Sequence, residues 1–105
     1  MLNLPLIHVD KTAPLLYQVN VPGEMTTELN AEVWVEAEPG ATVQILNGDE
    51  ILAEGTALGE DQGIMLTLPK LPAAIYTITI KVIDAAGNET IQSDHMMNVY
   101  DPNTD

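Results

Sequence analysis

Short runs in which apolar and polar residues alternate recur along this chain, and long patterns with the three-to-four spacing of an amphipathic helix are absent. The clearest run is Tyr76, Ile78, Ile80 and Val82 alternating with Thr77, Thr79 and Lys81, the period of a strand with one buried face. It breaks at Asp84-Ala85-Ala86-Gly87-Asn88, where Gly and Asn tolerate positive φ, and a final strand follows over about Glu89 to Tyr100. Earlier, Leu15, Tyr17, Val19 and Val21 read as a first inward set. Ala31, Val33, Val35 and Ala37 form a second, with Glu32, Trp34 and Glu36 on the opposite face. Val43 and Ile45 follow a Pro-Gly turn, and Asn47-Gly48-Asp49-Glu50 closes a hairpin. Ile51 to Gly55 reads as an edge strand. Ile64, Leu66 and Leu68 make the next, ended by Pro69-Lys70-Leu71-Pro72. About seven short strands between regular turn signals predict an antiparallel β-sandwich. Its expected core includes Val33, Val35, Val43, Ile45, Leu66, Ile78, Ile80 and Val82, and Met97 with Val99 fills core space while Met96 points outward.

Composition narrows the functional classes. A chain of 105 residues supports one core. Sixteen acidic residues face three lysines and no arginine, a net charge of −13 that argues against nucleic acid or anionic membrane as a partner. Such a balance favours cations, basic partners or plain solubility. Without cysteine there is no disulfide framework, thiol nucleophile or thiolate metal site. No stretch approaches the roughly 20 apolar residues of a membrane span, so membrane insertion is not expected. The segment MLNLPLIHVD lacks a basic leader, so an export signal is expected elsewhere.

Three motifs recur in a telling order: Val9-Asp10-Lys11-Thr12-Ala13-Pro14, then Glu38-Pro39-Gly40-Ala41-Thr42-Val43, then the Tyr76 to Asn88 strand and turn. Together they resemble the bacterial immunoglobulin-like repeats strung in tandem along large secreted adhesins. The middle section, Asn47 to Leu68, departs from that family in its sparse Gly and aromatic content. The resemblance implies an immunoglobulin-like sandwich over 14–100, an N-terminal linker over 1–13 and a C-terminal linker over 101–105. Val9-Asp10-Lys11-Thr12 is echoed by Tyr100-Asp101-Pro102-Asn103-Thr104, as a tandem repeat of sandwich size would require.

Sandwich topology places the turns at Glu38-Pro39-Gly40, Glu60-Asp61-Gln62-Gly63 and Asp84 to Asn88 at the pole where Asp10 arrives. That pole collects Asp10, Glu38, Glu60, Asp61, Asp84 and Glu89, with Asn88 beside them. Ca²⁺ takes six to eight hard oxygen ligands in flexible geometry, which carboxylates on neighbouring loops supply. In the resembled repeats, linker and loop aspartates bind Ca²⁺ between neighbouring domains. The resemblance therefore implies a metal set of Asp10, Glu38, Asp84, Asn88 and Asp101, with Asp10 and Asp84 foremost. The competing reading makes these acids a solvated surface, with Asp84 and Asn88 shaping their turn through backbone amides.

Trp34 falls on the outward face. One reading makes it a contact residue for a sugar or a partner, the other a ring lying over neighbouring strand residues with its nitrogen in water. His95 neighbours Asp94, but adjacent strand residues point to opposite faces. Ser93 is the sole serine and no oxyanion motif accompanies it, so no catalytic set emerges and an enzyme is not expected. Two functions follow. The first is a structural spacer repeat of an extracellular bacterial adhesin or surface protein. It would be stiffened by Ca²⁺ at domain junctions, have neighbouring repeats as partners, and reach host or biofilm surfaces through other domains. The alternative is an accessory carbohydrate- or protein-binding sandwich module of a secreted multidomain enzyme. With Tyr17 and Tyr76 assigned to the core, the aromatics left for a sugar platform are few.

Overall fold

Alternation with one buried face forces strands to pair so that the apolar rows meet, and here two sheets do so face to face. The structure, a computed structural model, describes residues 13–103. Its strands are β1 (Leu16–Asn20), β2 (Glu24–Thr26), β3 (Glu32–Ala37), β4 (Thr42–Asn47), β5 (Glu50–Thr56), β6 (Ile64–Thr67), β7 (Ala74–Ile83) and β8 (Glu89–Tyr100). One sheet has the order β1-β3-β6 and the other β2-β8-β7-β4-β5. Every pairing is antiparallel except β2 with β8, which is parallel. The fold is an all-β, immunoglobulin-like sandwich. No helix among the described residues is long and apolar enough to cross a membrane.

All eight core positions expected from the alternation are buried. Cross-strand pairs build the core in rows: Val33 with Leu66 in the smaller sheet, Val43 with Val82 and Ile45 with Ile80 in the larger. Leu68, Met97 and Val99 complete it, while Met96 is exposed. The Asn47 to Glu50 hairpin forms as expected, with Asn47 paired to Glu50. β5 lies at the edge of its sheet.

Two elements differ from the sequence expectation. In the first strand, Leu15 and Tyr17 are exposed, and the side chains that pack on the core are Leu16, Val19 and Val21. A register shift between Leu16 and Gln18 is the cause: Leu16 opposes Ala37 and Gln18 opposes Glu36, leaving Tyr17 as an extra residue. A bulge of this kind changes the phase of the alternation within one strand. The second difference is β2. After Pro22-Gly23 the chain leaves the smaller sheet and adds three residues to the edge of the larger one, anchored by Asn98 N–H to the Gly23 carbonyl at 2.9 Å. Three residues with a single packed side chain, Met25, carry no visible periodicity.

Strand directions put the two ends of the domain at opposite poles. β3 runs up to the 38–41 turn, β1 runs antiparallel to it, and the chain therefore arrives at the pole that holds this turn. β7 ends at the same pole, since Ile83 opposes Thr42, and β8 runs antiparallel to β7 away from it. Both ends are tied down. At the incoming pole Thr90 Oγ1 donates to the Pro14 carbonyl at 2.6 Å, and Glu38 N–H donates to the Leu15 carbonyl at 2.8 Å. At the outgoing pole Thr27 N–H donates to the Tyr100 carbonyl at 3.0 Å, and Asn103 Nδ2 donates to Glu28 Oε1 at 2.8 Å.

Candidate functional site

The incoming pole gathers the turns that topology requires. Gly40 N–H donates to the Ala57 carbonyl at 2.9 Å and Ala57 N–H to the Ala41 carbonyl at 2.8 Å, joining the 38–41 turn to the end of β5. The Asp84 to Asn88 turn closes beside them, with Asp84 N–H bonded to the Asn88 carbonyl and Gly87 N–H to the Asp84 carbonyl, both at 3.0 Å.

Within that turn Asp84 folds inward on its own loop. Its Oδ1 accepts from Ala86 N–H at 3.0 Å and Asn88 N–H at 2.8 Å, and its Oδ2 accepts from Asn88 Nδ2 at 3.1 Å. These donors, the Asn88 side chain first and the backbone amides of Asn88, Ala86 and Gly87 after it, outweigh partial desolvation and hold the carboxyl below the usual Asp value. A folded-state value below the unfolded one stabilises the fold above the ordinary carboxylate range and loses that contribution as pH falls through the lower value. The melting temperature of the wild-type protein is thus expected to exceed that of Asp84→Asn at neutral pH. The gap should narrow on acidification below the carboxylate range, as read by thermal melts across pH. A constant gap would show that Asp84 contributes no charge-dependent term.

Of the other expected ligands, Asn88 meets Asp84 within its own turn, and Glu38 lies in the 38–41 turn of the same pole. Glu89 pairs with Lys81 at 3.1 Å. Asp101 stands at the opposite pole, where its Oδ1 accepts from Asn103 N–H at 2.9 Å. Asp10 lies outside the described residues. Among those described, no three His, Asp or Glu side chains are grouped to hold a metal ion. The described residues alone therefore do not fit a Ca²⁺ site.

The outer face of the β1-β3-β6 sheet carries a second candidate site. Trp34 is half-buried there, as its phase predicts, but its nitrogen does not turn to water: Nε1 donates to Glu36 Oε2 at 3.0 Å. The indole lies over Gly63, where any Cβ would overlap Cε2 and Cζ2 of the ring. Tyr17, the extra residue of the bulge, precedes Gln18, which opposes Glu36, and is 39% exposed. Asn20 and Met65 flank Trp34 in register, on β1 and β6 respectively. Sequence reasoning found Trp34 and Glu36 but missed Tyr17 and Gly63. The doubled Leu15-Leu16, which fits neither phase alone, is the signal that an inserted residue shifts this strand.

Asp94 and His95 come closer than strict alternation allows, with Nε2 of His95 at 3.9 Å from Asp94 Oδ1 and 2.8 Å from Gln92 Oε1. A register shift relaxes the alternation, since Ile78 opposes His95 while Ile80 opposes Gln92. The three side chains lie on an open surface, and no cavity forms among the described residues.

Neither a family model nor a curated protein matches the chain. Among solved structures, CopC from Methylosinus trichosporium OB3b is similar, with a TM-score of 0.51 and 16% sequence identity over 88% of this chain and 97% of that one. At that identity the likeness supports the β-sandwich fold.

Proposed function

We propose that this domain is a structural spacer, one immunoglobulin-like repeat of an extracellular bacterial adhesin or surface protein. The observation that carries the reading is the placement of the two ends of the described domain: the polypeptide enters the sandwich at one pole, leaves it at the other, and is hydrogen-bonded to the domain at both. A domain built this way extends a tandem array along its long axis. Pro14 and Leu15 are tied to Thr90 and Glu38, and Tyr100 and Asn103 to Thr27 and Glu28. Such anchoring shortens the free linker, which favours a stiff array over a flexible one. The acidic surface keeps such an array soluble and repels like-charged neighbours.

Two tandem copies test the reading by small-angle scattering. β8 holds 12 residues, and at about 3.3 Å per residue each copy should lengthen the particle by about 40 Å. A gain below half of that would mean that the copies fold back on one another, and the spacer reading would fail.

Ca²⁺ at the junction belongs to this proposal, with Asp10 and Asp84 of one copy and Asp101 of the preceding copy as the ligands offered. Because the described residues of one domain assemble no site, a single domain should melt alike in Ca²⁺ and in Mg²⁺ at equal ionic strength. Two tandem copies should gain more from Ca²⁺, by RT ln(1 + [L]/Kd) for binding to the folded state alone, about 2.7 kcal/mol at a hundredfold excess over Kd. Mg²⁺ prefers strict octahedral sites and keeps its waters, which makes it the right control. Equal responses in the two-copy protein would remove Ca²⁺ and leave the hydrogen-bonded ends as the sole source of stiffness.

A further inference from the structure

We infer that the outer face of the β1-β3-β6 sheet binds an uncharged glycan, stacked on Trp34 and Tyr17 with Glu36 between them. The inference is independent of the spacer reading. Its basis is a ring held in place before any ligand arrives. The indole rests on the bare backbone of Gly63 and is pinned at its edge by Glu36, while part of the ring remains accessible to solvent. A half-buried indole fixed at two points loses little freedom on binding, which is how preorganised aromatic anchors gain affinity.

The second ring comes from the bulge. Gln18 opposes Glu36, and Tyr17, the extra residue just before it, is exposed instead of packed in the core. Gly63 precedes Ile64, which opposes Val35, so the indole reaches from β3 toward β6 while Tyr17 stands on β1. Neighbouring strands are about 4.8 Å apart, so the two rings on either side of β3 are separated by about 10 Å, the length of a disaccharide unit. Glu36 lies between them, and Gln18, Asn20 and Glu32 surround them on the same face as donors and acceptors for hydroxyls.

Size and charge select the ligand. The three strands cover about 10 Å by 20 Å. That is well short of the roughly 800 Å² per partner that a stable protein interface buries, yet it accommodates a short run of sugar rings. The face bears Glu32 and Glu36, while Lys70 follows β6 and Lys81 belongs to the other sheet. Sulfated or uronic-acid polymers are therefore repelled, and uncharged pyranoses, with apolar ring faces and hydroxyl edges, are accepted.

Trp34, the sole tryptophan, reports binding directly. The intact domain is titrated with β-linked hexasaccharides of glucose and of N-acetylglucosamine, an α-linked hexasaccharide of glucose, and heparin, following indole emission. At least one uncharged hexasaccharide should give a saturable change, and heparin should give none. Tyr17→Ala, which keeps the reporter, should weaken that binding about tenfold, the loss of one stacking contact. Gly63→Ala should displace the indole and abolish binding although Trp34 remains, with calorimetry as the readout and circular dichroism to verify the fold. Should Gly63→Ala fail to fold, Tyr17→Ala decides alone. The inference falls if no uncharged hexasaccharide changes the emission, if heparin binds instead, if Tyr17→Ala binds like wild type, or if only a protein is captured on this face.

Discussion

Truncating Ile80 to Ala is expected to destabilise the domain by about 2–5 kcal/mol, the range for removing a buried aliphatic side chain. Ile80 is fully buried in β7, flanked by Ile45 on β4 and by Gln92 on β8. Hydrogen-bonded strands on both sides prevent the backbone from collapsing into the space, so the cavity term adds to the lost transfer energy. Against the 5–15 kcal/mol that stabilises a typical domain, the loss is large. Ile91 on the outer face of the same sheet is 55% exposed, and Ile91→Ala should change stability by less than about 0.5 kcal/mol. Urea unfolding of the pair checks the assignment. A cost below about 1 kcal/mol for Ile80→Ala would mean that β7 presents its other face to the core.

The core was legible because a half-buried strand repeats every two residues, and Val33, Val35, Ile78, Ile80 and Val82 keep that period without interruption. Leu15 to Val19 were not, because one inserted residue changes the phase and parity carries no record of it. The same effect brought Asp94 to His95. β2 escaped notice for a different reason: three residues are too few to show a period, and their stability comes from docking beside β8. The incoming pole itself was legible from turn order alone, since antiparallel connection sends alternate turns to the same end. What the carboxylates do there was not. Side-chain direction decides whether Asp84 faces a neighbour or its own loop, and spacing cannot distinguish the two. The ties of Pro14 to Thr90 and Asn103 to Glu28 join residues far apart in sequence, so no local pattern announces them.

That folded-in turn sets the second large effect. Gly87→Val is expected to cost roughly 1–3 kcal/mol through backbone strain. Gly87 has φ +89°, and no non-glycine described residue has positive φ, so the glycine and not Asn88 takes the unusual conformation. No atom lies within 4 Å of where its Cβ would stand, so steric collision with the rest of the domain contributes nothing. The Gly87 N–H holds the Asp84 carbonyl, and relaxing φ to suit Val would pull on that bond and on the amides that clasp the Asp84 carboxylate. Gly23 supplies the control: a Cβ there is equally uncrowded, its φ lies outside the left-handed region, and its carbonyl also accepts a backbone bond. Gly23→Val should therefore cost clearly less than Gly87→Val in the same denaturation series. Gly87→Asn should fall between them, because Asn enters the left-handed region with less strain than a β-branched residue. If both Val substitutions cost the same, positive φ at Gly87 is not what the turn depends on. The Asp84 hydrogen bonds alone would then hold it closed.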